Sequence, residues 1–142
     1  MRVSDVLTAK GDRVVTVRPD ATCRELVAVL ALHNIGAAVV SPDGETVAGI
    51  VSERDVVRRL HDLGAAILEG PISDIATWQV ETCAPEDHVD ELRETMTRLR
   101  IRHLPVVSGG RLAGIVSIGD VVKSTISELE TEKQHLIEYL QS

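Results

Sequence analysis

The chain has 142 residues, about one compact module's worth, of which 44% are apolar, and its formal charge is −7. That charge, without a basic cluster anywhere, argues against a nucleic-acid partner, which needs a basic stripe. No apolar run reaches the roughly 18 residues of a membrane span and the N-terminus lacks a signal-peptide core, so no membrane contact is expected and the cytoplasm is the default location.

With no Phe, one Trp and one Tyr, the core must be built from Val, Ile, Leu and Ala. Residues 14–17 read as a strand closed by Pro19. Thr22 with Glu25 three residues on forms a capping box. Leu26, Val29, Leu30 and His33 follow at helical spacing, which predicts a helix to about Asn34. Residues 37–40 are a short apolar strand, Ser41-Pro42-Asp43-Gly44 is a turn, and residues 47–51 are the next strand. Ser52 opens a helix to about Leu63, residues 64–70 read as a linker, and Pro71 starts a short helix over 72–77. Then the order returns: strand 80–83, helix 88–100, strand 103–107, a turn at Ser108-Gly109-Gly110, strand 112–116 and a last helix.

The return is also literal. Gly49-Ile50-Val51-Ser52-Glu53-Arg54-Asp55-Val56-Val57 reappears as Gly114-Ile115-Val116-Ser117-Ile118-Gly119-Asp120-Val121-Val122. Thr16 matches Thr82, Pro19 matches Pro85, and Val3-Ser4-Asp5-Val6 matches Ile72-Ser73-Asp74-Ile75. The first copy carries about three extra residues around Ala9-Lys10-Gly11. Insertions placed in loops, with the apolar pattern kept, indicate duplicated structure. Each half is small for a core of its own. The expected fold is therefore α/β (α+β), two pseudo-symmetric β-α-β-β-α units packed as one module, spanning 1–69 and 70–127, with a helical extension over 128–142. Cys23 aligns with Val89 and Cys83 with Val17, which marks both as apolar core positions.

The last helix outruns its counterpart. Val122, Ile126, Leu129, Lys133, Leu136 and Leu140 follow each other at spacings of four and three, a heptad seam broken once by Lys133. Such a stripe either lies on its own domain or meets a second subunit.

Ser52/Asp55 and Ser117/Asp120 have two readings. A Ser cap with an acid three residues on is a capping-box variant that needs no ligand. The same geometry also offers helix N–H groups to an anion and a carboxylate to a diol. No P-loop, Gly-x-Gly-x-x-Gly, nucleophile elbow or Cys-x-x-Cys is present, so no catalytic set is visible. The histidines show no metal-ligand spacing. Arg58, Arg59, Arg98 and Arg100 read as exposed helix faces.

Taken together, these motifs resemble a tandem cystathionine-β-synthase (CBS) domain pair of the stand-alone bacterial type. The residues that carry the likeness are Val3-Ser4-Asp5-Val6, Thr16-Val17-x-Pro19-Asp20-x-Thr22, Asn34-Ile35-Gly36-Ala37 and Gly49-Ile50-Val51-Ser52-x-x-Asp55. In the second copy they are Ile101-Arg102-His103-Leu104-Pro105-Val106-Val107 and Gly114-Ile115-Val116-Ser117-x-x-Asp120. The resemblance covers about residues 2–124. It implies clefts between paired domains that bind adenosyl ligands: AMP, ADP, ATP, NAD(H) or S-adenosylmethionine. Asp55 and Asp120 would hold ribose hydroxyls, and Ser52 and Ser117 would contact ribose or phosphate. Backbone near Thr16, Val17, Thr82 and Cys83 would read the purine, with Gly36, Ala37 and Pro105 lining the clefts.

The copies differ in charge. Arg54 has Gly119 as its counterpart, and Arg102-His103 replaces Gly36-Ala37, which points to unequal phosphate binding, with Lys10 a further phosphate contact. The expected role is a non-enzymatic sensor without a catalytic cofactor, binding an adenine nucleotide, forming a homodimer and signalling to a protein the sequence does not name. Two other readings stay open: an assembly module with vestigial clefts, and a nucleotide-handling enzyme.

Overall fold

The computed structural model describes all 142 residues. Ten elements follow in chain order: α1 (Val3–Lys10), β1 (Thr16–Val17), α2 (Cys23–His33), β2 (Ala37–Val40), β3 (Gly49–Ser52), α3 (Glu53–Leu63), α4 (Val89–Leu99), β4 (His103–Ser108), β5 (Arg111–Ser117) and α5 (Ile118–Gln141). The first sheet runs β1-β2-β3, with β1 parallel and β3 antiparallel to β2; the second is the antiparallel pair β4-β5.

Local chemistry sets the helix boundaries. Thr22 Oγ1 accepts the Glu25 N–H at 3.1 Å, so the Thr half of the expected capping box forms at α2. Asn34 and Arg100 close α2 and α4 in the left-handed conformation, at φ 52° and 55°. Asn tolerates that conformation well; for Arg it is uncommon.

The structure departs from the predicted elements in three places. Residues 80–83 form no strand; the pairing that β1 makes with β2 shrinks here to one parallel bridge, Cys83 to Val106. Just before them, Thr77 pairs with Ile50 in both directions, at 2.9 Å, so the chain there is anchored to the first sheet. The linker over 64–70 contains a 3₁₀ turn, Ala65–Glu69, tied to α2 by the Arg24–Glu69 ion pair. The predicted helix over 72–77 is one 3₁₀ turn, Ile72–Asp74.

Two aliphatic cores result, and they exchange segments. Ile72 and Ile75 pack with Val17, Leu26, Leu30, Val40 and Val51. Val3 and Val6 of α1 pack with Val89, Leu92, Met96, Leu104 and Val116. The Val3 and Ser4 N–H groups donate to the Asp87 and Pro85 carbonyls, both at 2.9 Å. The segment preceding each repeat thus completes the core of the other, which joins the halves into one module. Past Ser124 the long α5 leaves the core: Leu129, Leu136 and Leu140 are all exposed.

Candidate functional site

β3 and β5 each deliver the chain into a helix start with the same local geometry. At α3, the Ser52 N–H and hydroxyl donate to Asp55 Oδ2 at 2.8 and 3.0 Å, while Ser52 Oγ accepts the Asp55 N–H. At α5, the Ser117 N–H donates to Asp120 Oδ2 at 2.9 Å and Ser117 Oγ accepts the Asp120 N–H. Both are complete capping boxes. Each cap engages Oδ2 and leaves Oδ1 of the Asp available, so capping and ligand binding are compatible.

A cavity of about 520 Å³ opens beside Asp55. Its walls come from both halves: the first turns of α3, the end of β2 at Gly36 and Ala37, residues 77–81, and the junction of α4 with β4. Of the residues expected in a cleft, the fold brings Gly36, Ala37, Ser52, Arg54, Asp55, Arg102 and His103 to this one place. Gly36 permits a close approach: a Cβ there would lie 3.3 Å from Glu53 Oε1 and 3.5 Å from His103 Cε1.

The electrostatics are unusual for an acidic chain. Arg54, Arg58, Arg100 and Arg102 all line the cavity. None of the four is within ion-pair distance of a carboxylate. Glu53, Asp55 and Glu81 line it too, so cations outnumber carboxylates four to three. Unpaired guanidinium groups around a concavity form a ready site for a phosphate, which each can bond through two oxygens. Arg58 and Arg100, read from sequence as solvent-facing, belong to this set. Arg58 stands one turn beyond Arg54 on α3, a spacing that was available as a signal. Arg100 had none, because only the tertiary placement of the α4–β4 junction beside the start of α3 brings it here. Thr77, Gln79, Val80 and Glu81 were also missed as lining residues.

The other expected residues sit elsewhere. Ser117, Asp120 and Lys10 meet at a second place: Lys10 Nζ donates to Asp120 Oδ2 at 2.6 Å and to the Ile115 carbonyl at 2.9 Å. The ammonium expected beside a phosphate is therefore engaged by protein. Burial pushes the Asp120 carboxyl up, but the bonds from Lys10 and Ser117 outweigh it and hold the group below its ordinary value. Gly119 is exposed on the first turn of α5. Thr16 and Val17 form β1, and Val17 is buried in the first core. Thr82 is exposed, Pro105 lies inside β4, and Cys83 is a core thiol whose pKa burial pushes up to about 12. Between the two places stands His103, paired in register with Ser117. Burial first, and then Lys10, lowers its pKa, against the pull of Glu53 and Asp120.

Comparison with known proteins agrees with this architecture. The family model for the CBS domain matches twice, at residues 3–62 and 72–126. The chain is 36% identical to the CBS domain-containing protein CBSX3, mitochondrial, of Arabidopsis thaliana, over 98% of this chain and 71% of that protein. Among solved structures, the CBS-domain containing protein ATU1752 of Agrobacterium tumefaciens superposes with a TM-score of 0.85 at 47% identity, covering 88% of this chain and 99% of that one. The CBS domain protein PAE2072 of Pyrobaculum aerophilum, solved in complex with AMP, gives a TM-score of 0.78 at 33% identity, covering 92% and 99%.

Proposed function

The chain belongs to the CBS-domain family, and on that premise we propose that it is a non-enzymatic cytoplasmic sensor whose Asp55 cleft binds an adenine nucleotide. The observation that carries this reading is the cavity itself. It combines a helix start, a diol-accepting carboxylate and four unpaired arginines in a volume suited to a nucleotide. The relative solved with AMP supports the ligand class. Asp55 would accept the ribose hydroxyls, and Ile50, Val80 and Ile101 would supply apolar contact for the base. Arg54, Arg58, Arg100 and Arg102 would hold the phosphates, with Ser52 and His103 beside them. Four guanidinium groups exceed what one phosphate can use, which favours ADP, ATP or NAD(H) over AMP in this cleft.

The sensor also works as a homodimer in this proposal. Val122, Ile126, Leu129, Leu136 and Leu140 on α5 are each more than half exposed, and no other part of the chain covers them. A second copy presenting the same stripe would bury both. A ligand signals only if it binds two conformations, or free and partner-bound states, with different affinity; the regulated protein would read that difference.

Calorimetry with AMP, ADP, ATP, NAD and NADH tests the reading. Binding of at least one is expected, and Asp55→Ala should weaken it by about 1.5–3 kcal/mol, roughly ten- to a hundredfold in Kd. Arg102→Ala should weaken ADP or ATP more than AMP. Failure of every adenosyl compound to bind would leave the vestigial-cleft reading, and turnover of any of them would establish the enzyme reading. For the dimer, sedimentation should give about twice the chain mass, and removal of residues 128–142 should weaken association.

A further inference from the structure

The two Ser-x-x-Asp helix starts share their capping geometry but not their surroundings. Asp55 accepts bonds only from Ser52 and faces an open cavity. Asp120 carries the Lys10 ammonium as well. A second equivalence sharpens the contrast. The Ile50 carbonyl accepts the Thr77 backbone N–H at 2.9 Å. The Ile115 carbonyl, at the matching place in the repeat, accepts Lys10 Nζ instead. Lys10 is therefore bound to two groups that the cleft beside Asp120 would present to a ligand, its carboxylate and the adjoining strand carbonyl.

α1 brings Lys10 there and holds it. The helix is anchored in the second core through Val3 and Val6. It presses so closely on β5 that a Cβ at Gly114 would lie 2.7 Å from Leu7 Cδ2. The Lys10 and Asp120 side chains are only 33% and 20% exposed, so their attraction is screened less than that of a surface pair.

We infer that Lys10 is an internal competitor that occupies the Asp120 cleft, so that this chain has one freely accessible nucleotide site and a second that opens only when the ammonium is displaced. The inference rests on the reading of the clefts as nucleotide sites and adds what regulates the second one. Asp120 Oδ1 is left free by the cap, but the Lys10 ammonium stands 2.6 Å from Oδ2 and 2.9 Å from the Ile115 carbonyl, so a ribose that takes the carboxylate and the strand edge together must displace it. The second site is thus the weaker, and filling it must release the Lys10 side chain at the exposed C-terminal end of α1.

The test is calorimetric titration of AMP into the full chain, the Lys10→Met variant, and both in an Asp55→Ala background, where the first cleft is weakened. Met keeps an unbranched stem and the helix and removes the ammonium, with its charge and its hydrogen-bond donors; thermal unfolding checks that each variant is folded. In the Asp55→Ala background, Lys10→Met should tighten AMP binding by roughly tenfold, the scale of one charge-assisted bond. With Asp55 intact, the same substitution should convert a strong and a weak event into two of closer affinity. Adding Asp120→Ala to Lys10→Met should abolish the gain. Unchanged or weaker AMP binding on Lys10→Met would overturn the inference and make Lys10 a phosphate contact or a purely structural pair. Equal affinity at both sites of the unmodified chain would overturn it as well. If Asp55→Ala leaves the strong event intact, the Asp55 reading fails while the Lys10 arms still decide the competitor. If no protein in the set binds AMP, the nucleotide reading falls and the inference falls with it.

Discussion

The two halves of the chain are near copies in sequence and part company where a preceding segment enters each of them. At the first half, residues 77–81 arrive after a single 3₁₀ turn, pair with β3 through Thr77 and Ile50, and leave a cavity beside Asp55. At the second, the matching segment is a two-turn helix, α1, and its last residue reaches the carboxylate of Asp120. The copies thus differ less in the motif than in the chain laid over it. A duplicated helix start therefore does not guarantee duplicated surroundings; the insertion around Lys10 is enough to separate the two.

The largest effects should break the comparison at the cores, where the halves are most alike. Leu26 and Leu104 are fully buried, one in each core. Either Leu→Ala substitution should cost about 2–5 kcal/mol, the range for a cavity left in an aliphatic core. Because each core contains a segment from the other half, both variants should shift one cooperative urea transition. Two separate transitions would show that the exchanged segments do not couple the halves.

A smaller effect should sharpen the contrast between equivalent helices. Thr22 caps α2 through its side chain, whereas His88, at the start of α4, makes no such bond. Thr22→Ala should cost about 1 kcal/mol, and His88→Ala less than about 0.5 kcal/mol. Equal losses in chemical denaturation would mean that the caps do not distinguish the two helices.

The smallest expected effect concerns pH at His103, which has Ala37 as its counterpart. Burial holds the folded imidazole below its ordinary value of 6.5. Above pH 6.5 the ring is neutral in both states and this contribution is complete. As the pH falls below 6.5 the unfolded chain takes up the proton first, so stability declines until the lowered folded value is passed. His103→Gln should flatten that part of the stability profile between about pH 7 and 5. An unchanged slope would mean that His103 is not the group responsible.

Much of this was legible along the chain. The boundaries of α2, α3 and α4 follow from apolar spacing and from the residues that flank them, and the strands β2 and β4 from short aliphatic runs. Cys23 and Cys83, aligned with Val in the opposite copy, lie in the cores as that alignment implied. Residues 80–83 read as a strand because they match residues 14–17 of the first copy, while the competing pull of Thr77 on β3 is a long-range bond that no local pattern records. Arg58 and Arg100 are exposed, as their positions imply, but that they line the cavity is not legible for a related reason: a charged residue on an outer helix face looks the same whether the space beyond it is solvent or a shared cavity.

The sequence by itself determined the duplication, the order of elements and the chemistry at each helix start, because these depend on contacts between residues three or four apart and on which side chains prefer water. Tertiary structure alone decided which half each preceding segment completes, which arginines gather without partners around Asp55, and that Lys10 meets Asp120 across 110 residues of chain. The reason is physical. Ion pairs and cavities depend on where packed elements place their ends, and that placement is set by the two exchanged cores and by no local run of residues.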